Sequence, residues 1–157
     1  MHSKQWGRLL TAMITPNDKN GEVDARQAAA LAQQLLDHGS DGLVLWGTTG
    51  ESPVLSAEEK ERLYAAVREK TGAAGLLIAA TGTNSTKKTV EQTVRAAQLG
   101  ADGAMVVVPY YNKPSQNGLY EHFRAVASST DLPIMIYNVP SRSGVAIEAE
   151  TVARLAG

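Results

Sequence analysis

The sequence predicts a parallel α/β fold, and three observations support this. Five short apolar runs alternate with stretches of helical periodicity along the 157 residues. The runs are nearly continuous in apolar character, which is typical of strands in a sheet that is covered on both faces. Glycine-rich helix ends recur at intervals of roughly thirty residues, the size of a strand–helix unit. Such units in series fit either an open doubly wound sheet or a (β/α)8 barrel.

The first strand and the first helix lie near the start of the chain. Residues 9–14 form an apolar run that Thr15 and Pro16 end. Asp24 is predicted to cap the helix, and Gly39 to end it in a left-handed conformation. The apolar residues of this helix at helical spacing are Ala28, Leu31, Ala32, Leu35 and Leu36.

The second strand and helix follow the same plan. Residues 42–46 are the second apolar run. Ser56 and Glu59 form the pattern of a capping box, which predicts a helix start at that point. Gly72 is predicted to end this helix. Its inner face is predicted from Leu63, Ala66 and Val67.

Three further strands are predicted at residues 76–80, 104–108 and 132–137. The helix after the third strand spans residues 86–99 and ends before Gly100. The apolar residues predicted to face inward are Val90, Val94 and Ala97 in the third helix, Leu119, Phe123, Val126 and Ala127 in the fourth, and Val152 and Leu155 in the last.

Composition and charge exclude several classes of protein. The formal net charge is −1, so the chain lacks the excess of basic residues that would predict a nucleic-acid partner. The chain has no cysteine, which excludes disulfides, thiolate metal sites and a cysteine nucleophile. The N-terminus lacks the apolar core of a signal peptide, and no apolar run approaches the ~20 residues that span a membrane. We therefore expect a cytoplasmic protein that does not enter a membrane.

Candidate functional residues follow the predicted strands. In the loop at 47–52, two glycines allow a sharp turn, and the hydroxyl and N–H groups of Thr48 and Thr49 can converge on a small anion. Tyr111 follows the fourth strand, and Tyr137 ends the fifth. Because the carboxyl ends of parallel strands share one edge, these groups can lie close together.

A carboxylate-binding group completes this set. Arg142 follows the fifth strand, and its planar guanidinium can bind a carboxylate through two hydrogen bonds. Taken singly, Arg142 also suits a surface charge, and Tyr137 suits a strand end whose hydroxyl reaches water. The shared edge is what favours a functional site. The spacing predicts neither a nucleotide-binding P-loop nor a metal site.

Three motifs carry a resemblance to a known family. GTTGES at 47–52, PYYNKPS at 109–115 and YNVPSRSG at 137–144 resemble those of the dihydrodipicolinate synthase family, which are pyruvate-dependent lyases. The resemblance implies a (β/α)8 barrel. Because such a barrel typically needs ~250 residues, residues 1–157 are predicted to form the N-terminal part of a single barrel domain, with about five parallel strands.

The resemblance also implies an activity and a role for each candidate residue. The family condenses pyruvate with aspartate semialdehyde on the lysine pathway, with pyruvate held as a Schiff base on a lysine and without a cofactor. Thr49 would bind the pyruvate carboxylate. Thr48, Tyr111 and Tyr137 would form a proton relay, and Arg142 would bind the carboxylate of the second substrate. In the family, one subunit contributes the tyrosine that matches Tyr111 to the active site of another subunit, which implies a homodimer or a homotetramer.

The sequence departs from the family at the Schiff-base lysine, which the family carries on its sixth strand. The lysines of this chain are Lys4, Lys19, Lys60, Lys70, Lys87, Lys88 and Lys113, and none ends an apolar strand. We therefore expect that these 157 residues alone do not form the pyruvate imine. We also expect the unpaired strand edges of a partial barrel to cause self-association.

Two other functions fit the same sequence. A sister aldolase would act on a sugar acid of the 2-keto-3-deoxy or N-acetylneuraminate type. A half-barrel without catalytic activity would bind carboxylates or a partner chain.

Overall fold

The computed structural model describes residues 6–157. The chain divides into two compact units, Met1–Ala80 and Thr81–Gly157. The interpretation of residues 1–5 as free of a signal peptide lies outside the described residues. The assignment of residues 1–157 to a single barrel domain stays a prediction.

The first unit contains a three-stranded parallel sheet in the order β1–β2–β3. Its elements are β1 (Leu10–Ala12), α1 (Ala25–Asp37), β2 (Gly42–Leu45), a 3₁₀ turn (Ser52–Val54), α2 (Ala57–Thr71) and β3 (Leu76–Ala80). In the central strand, a β-carbon on Gly42 would lie 2.7 Å from Leu76 Cδ2 and 2.9 Å from Leu10 Cδ2. Glycine at this position therefore lets the leucines of the two flanking strands pack over β2.

The predicted helix ends of the first unit are confirmed. The Asp24 carboxylate accepts a hydrogen bond from Gln27 N at 2.9 Å. In the capping box, Glu59 N donates to Ser56 Oγ at 3.2 Å and Ser56 N donates to Glu59 Oε2 at 2.8 Å. Gly39 has φ +104° and so ends α1 in the left-handed region that favours glycine.

The inner faces of α1 and α2 differ in part from the prediction. Ala28, Ala32, Leu63 and Val67 are buried as expected. The remaining residues predicted to face inward are only half-buried, namely Leu31, Leu35, Leu36 and Ala66. Tyr64 is 1% exposed, and its ring lies 5.7 Å from the ring of Trp46. Tyr64 is therefore part of the buried face of α2, although the sequence pattern did not identify it.

The second unit pairs β4 with β5 in parallel, and Val107 lies opposite Tyr137. Its elements are α3 (Thr86–Gln98), β4 (Gly103–Val107), α4 (Gln116–Ala127), β5 (Ile134–Tyr137), α5 (Pro140–Ser143) and α6 (Ala149–Ala156). Its buried core cluster contains Val106, Val108, Leu119, Phe123, Val126 and Ile147. The prediction that Leu119, Phe123 and Val126 face inward is confirmed, whereas Ala127 is exposed.

The predicted inner face of α3 is confirmed only in part, since Val90 packs against the core cluster but is not among the fully buried residues of the helix. Thr89, Thr93 and Ala96 are buried, whereas the predicted Val90, Val94 and Ala97 are half-buried. Threonine can occupy the buried face because its hydroxyl is satisfied there. Thr93 Oγ1 donates to the carbonyl of Thr89 at 2.7 Å and lies 2.8 Å from Thr81 Oγ1.

Gln116 joins the start of α4 to the start of α6. Its Oε1 atom accepts hydrogen bonds from Glu148 N at 3.1 Å and from Thr151 Oγ1 at 2.8 Å. Its Nε2 atom donates to the carbonyl of Ala146 at 2.9 Å. Gln116 therefore satisfies backbone groups at the start of α6, where Glu148 makes no side-chain cap.

No helix within residues 6–157 is long and apolar enough to cross a membrane.

His122 is a buried histidine in α4. It is 4% exposed, and its Nδ1 atom lies 2.9 Å from Thr86 Oγ1. Its Nε2 atom is buried and has no hydrogen-bond partner among the described residues. Burial lowers the pKa of His122 below its ordinary value.

We expect His122 to make the chain less stable in mild acid. Because the folded pKa is depressed, the unfolded chain binds the proton more readily, and the free energy of unfolding falls as the pH drops below 6.5, the ordinary pKa of histidine. Urea titrations between about pH 7.5 and pH 5 should show this fall in the wild type and a flatter profile in His122→Gln. His38→Gln is the matched control, because His38 is exposed. Equal profiles for the wild type and His122→Gln would contradict this assignment.

Candidate active site

The threonine loop follows β2 and turns sharply at Trp46. Trp46 is 6% exposed and has φ +61°, a conformation that is unusual for a bulky residue. Two backbone hydrogen bonds close the turn, from Gly50 N to Gly47 O and from Glu51 N to Thr48 O, both at 3.1 Å. Thr48 and Thr49, which lie in this turn, are exposed.

Thr15 fixes this loop to the end of β1. Its Oγ1 atom donates to the carbonyl of Gly50 at 2.8 Å. A β-carbon on Gly50 would lie 3.0 Å from Met13 O and 3.2 Å from Thr15 Oγ1. A side chain at this position would be crowded, so glycine suits this close approach. The sequence indicated a turn at Thr15 but not this contact.

The threonine loop presents hydrogen-bond donors that no other residue in the described part of the chain accepts. Within residues 6–157, neither the hydroxyl groups nor the N–H groups of Thr48 and Thr49 donate to another protein group. Consecutive free donors on a turn are suited to binding a small anion such as a carboxylate. The roles assigned to Thr48 and Thr49 stay predictions.

The tyrosine loop of the second unit contains a strained turn. Asn112 N donates to the carbonyl of Tyr110 at 2.8 Å, and Tyr111 between them has φ +71°. This is a γ-turn of the rare form with positive φ at its central residue. The Tyr111 side chain is 88% exposed, whereas Tyr110 is half-buried. The turn therefore directs the phenol of Tyr111 away from the unit that carries it.

Tyr137 is the last residue of β5 and lies at the same edge of the sheet as this loop. It is half-buried, and its carbonyl accepts a hydrogen bond from Val108 N at 3.0 Å, just before the tyrosine loop begins. Because β4 and β5 are parallel, Tyr137 and the loop that carries Tyr111 share the carboxyl end of this strand pair.

Arg142 lies in α5, in a stretch that the sequence predicted only as a connection to the last helix. Pro140 begins this short helix, as is favourable for proline at a first helical position. Ser143 is buried, and its Oγ atom donates to Val145 O at 2.7 Å. Gly144 has φ +75° and ends the turn. Arg142 is exposed, so its guanidinium projects from a well-fixed turn.

The structure thus places Tyr111 after β4, Tyr137 at the end of β5 and Arg142 after β5 in the second unit. It places Thr48 and Thr49 after β2 in the first unit. Their catalytic and binding roles stay predictions. The part of the chain that the structure describes contains no group of three histidine, aspartate or glutamate side chains that could hold a metal ion.

The comparisons with known proteins agree with the resemblance carried by the motifs. Residues 5–157 match the Dihydrodipicolinate synthetase family. The chain is 55% identical over 151 residues to the 4-hydroxy-tetrahydrodipicolinate synthase of Synechococcus sp. (strain JA-2-3B'a(2-13)), which is 96% of this chain and 49% of that protein. The chain therefore spans about half the length of the curated relatives it matches.

Solved structures show the same relationship. The dihydrodipicolinate synthase of Bacillus anthracis is 47% identical and has a TM-score of 0.94, over 97% of this chain and 52% of that chain. The chloride-inhibited enzyme of Acinetobacter baumannii, solved in complex with pyruvate, is 40% identical with a TM-score of 0.93, over 97% of this chain and 52% of that chain. These matches confirm the predicted fold class, an incomplete (β/α)8 barrel with five parallel strands. The chain belongs to the Dihydrodipicolinate synthetase family and corresponds to the N-terminal portion of its members.

Proposed function

We propose that this chain supplies the N-terminal portion of the active site of a 4-hydroxy-tetrahydrodipicolinate synthase. This lyase condenses pyruvate with aspartate semialdehyde in lysine biosynthesis through diaminopimelate. The observation that carries the proposal is the placement of Tyr111 and Tyr137 at the carboxyl ends of two paired parallel strands, with Arg142 in the short helix α5 that follows the second of them. The related enzyme of Acinetobacter baumannii was solved with pyruvate.

The proton relay is assigned to three hydroxyl groups. When pyruvate condenses with a lysine amine, the carbinolamine hydroxyl leaves as water and takes up a proton. Tyr137 supplies that proton and regains one through the hydroxyls of Thr48 and Tyr111. A tyrosine with a pKa of about 10 is a weak acid at neutral pH, so a defined path for the returning proton eases each transfer.

The carboxylates of the two substrates are assigned to two different groups. Thr49 binds the pyruvate carboxylate through its unused hydroxyl and N–H groups. Arg142 binds the carboxylate of aspartate semialdehyde, for which its planar guanidinium is suited. In support, the described residues contain no carboxylate that pairs with Arg142.

The assembly of the enzyme is also part of the proposal. A side chain that is 88% exposed at Tyr111 fits a residue that completes the site of a second subunit. We therefore infer a homodimer or homotetramer. The proposed enzyme acts in the cytoplasm on a pair of small-molecule substrates, without nucleic acid and without a bound cofactor.

The Schiff-base lysine is proposed to lie outside these 157 residues. Lys60 is half-buried, but it lies on α2 rather than at a strand end. Burial lowers the pKa of Lys60. The other described lysines, Lys19, Lys70, Lys87, Lys88 and Lys113, are exposed, and Lys4 lies outside the described residues. A lysine nucleophile needs a desolvated or electropositive pocket at a reacting centre.

Trapping with borohydride tests this assignment. The chain alone, incubated with pyruvate and borohydride, should keep its unmodified intact mass. The positive control is the same chain co-expressed with the part of the Bacillus anthracis enzyme that follows the matched region, where the adduct should appear on the added part. A stoichiometric pyruvate adduct on the chain alone would contradict the proposal.

The same co-expressed pair tests the reaction. Turnover of pyruvate with aspartate semialdehyde, and not with 2-keto-3-deoxy acids, is the expected result. The reverse preference would assign the chain to a sister aldolase.

A further inference from the structure

The strained turn at Tyr111 needs neighbours that hold it in place. We propose that Asn112 is a positioning residue, which keeps Tyr111 in its γ-turn through a side-chain hydrogen bond to the carbonyl of Asn84. The catalytic consequence of this inference rests on the proposed function, in which Tyr111 belongs to the proton relay.

The backbone of this loop would not adopt its conformation without support. Tyr111 has φ +71° and Lys113 has φ +47°. Both lie in the left-handed region, which is costly for residues other than glycine and persists only where surrounding contacts impose it. Two such residues within three positions therefore require contacts that fix the loop.

The Asn112 carboxamide provides one such contact. Its Nδ2 atom donates to the carbonyl oxygen of Asn84 at 2.8 Å, across 28 positions of the sequence. The same residue closes the γ-turn with its backbone N–H, which donates to Tyr110 O at 2.8 Å. Asn112 thus closes the strained turn with its backbone N–H and joins that turn to the loop after β3 with its side chain.

The loop that receives this bond is itself well fixed. Thr83 N donates to Thr89 Oγ1 of α3 at 2.9 Å. Ser85 N donates to Thr83 Oγ1 at 3.1 Å, and Ser85 also caps α3. These bonds flank Asn84 on both sides, so its carbonyl is a firm point of attachment.

Lys113, the other residue of this loop with positive φ, lies close to Gly144. A β-carbon on Gly144 would lie 3.2 Å from Lys113 Cε, so the aliphatic part of Lys113 passes close to Gly144. Gly144 ends the short helix that carries Arg142. The tyrosine loop therefore neighbours both the loop after β3 and the turn that presents Arg142.

The chemistry of this contact requires an amide at position 112. Aspartate has nearly the same shape, but its carboxylate cannot donate a hydrogen bond and would face the carbonyl oxygen of Asn84. Without the bond, Tyr111 is free to return to negative φ, and its exposed phenol moves with the backbone. Because the Tyr111 side chain is 88% exposed, packing against other residues does not fix its phenol, and the position of the phenol follows that of the backbone.

Hydrogen–deuterium exchange on the whole 157-residue chain tests the positioning role directly. In a peptide covering residues 109–115, Asn112→Ala and Asn112→Asp should raise the exchange rate of the amide at position 112 by about tenfold or more, because the γ-turn bond opens. Asn117→Ala is the matched control and should leave this peptide unchanged, because Asn117 is exposed on α4. Unchanged exchange in both Asn112 variants would overturn the inference.

Kinetics of the co-expressed enzyme test the catalytic consequence. Asn112→Ala should lower kcat by about tenfold or more with little change in KM for pyruvate, and should have no further effect when combined with Tyr111→Phe. Losses that multiply in the double variant would overturn the positioning role in catalysis. Full activity of Tyr111→Phe alone would instead refute the proposed relay, while the exchange measurement would still decide whether Asn112 holds the turn.

Discussion

Replacement of Tyr137 by phenylalanine is expected to lower kcat of the co-expressed enzyme by about 10²- to 10⁴-fold, the usual contribution of a general acid–base group. Tyr137 ends β5 and is half-buried at the sheet edge that also carries the Tyr111 loop. Phenylalanine keeps the packing of the ring and removes only the proton donor. The loss should therefore fall on imine formation, measured as the rate of borohydride-trapped adduct, and not on the stability of the chain.

Tyr120→Phe is the matched control for this experiment. Tyr120 lies in α4, and its ring packs 4.2 Å from the Arg154 guanidinium carbon. The ring survives the substitution, so activity should stay close to the wild-type value. Equal activity in the two variants would remove Tyr137 from the proposed mechanism.

Gly82→Ala should strongly destabilise the second unit. A β-carbon on Gly82 would lie 2.3 Å from Val107 N and 3.0 Å from Val106 C, both atoms of the β4 backbone. Backbone atoms cannot rotate away as a side chain can, so the strand end must shift. Overpacking costs typically 1–3 kcal/mol, and we expect about 3 kcal/mol or more here, measured as a loss in the free energy of unfolding in urea.

Gly118→Ala is a control for which we expect the opposite change in the free energy of unfolding. Gly118 lies in the first turn of α4, where a β-carbon would make ordinary contacts at 3.4 Å from Pro114 Cβ and 3.5 Å from Ser115 Oγ. Alanine favours a helix over glycine by about 1 kcal/mol, so this variant should be more stable than the wild type. Similar stability of the two alanine variants would contradict the assigned role of Gly82.

Much of the fold could be predicted from sequence because it depends on local signals. The Ser56–Glu59 capping box and the glycine at position 39 each specify a helix boundary within a few residues. The strands could also be predicted from a local signal, because each is a continuous apolar run. The inner face of α3 could be predicted only in part, because apolar periodicity selects Val90, which packs against the core, but not Thr89, which is fully buried. Only the buried hydroxyl contacts of Thr93 with Thr81 and Thr89 O show why threonine packs inward.

The candidate site shows the same limit. Residue types at strand ends identified Tyr111, Tyr137 and Arg142 as a group. The contacts that fix the site connect residues far apart in sequence, such as Thr15 with Gly50 and Asn112 with Asn84. Sequence spacing carries no signal for such contacts. Nor does it reveal the backbone conformation of Tyr111, since nothing in the residue type favours positive φ.

The γ-turn at Tyr111 lowers the stability of the folded chain and also lowers the entropy cost of binding at this position. Holding a non-glycine residue in this conformation costs about 1–3 kcal/mol, and the chain bears that cost when it folds. A glycine at position 111 would relieve the cost and would also remove the phenol. In return, the backbone beneath the phenol loses no further conformational entropy when a substrate or subunit meets it, which is the advantage of preorganisation. The chain is therefore less stable than it could be at the position where its proposed function needs rigidity.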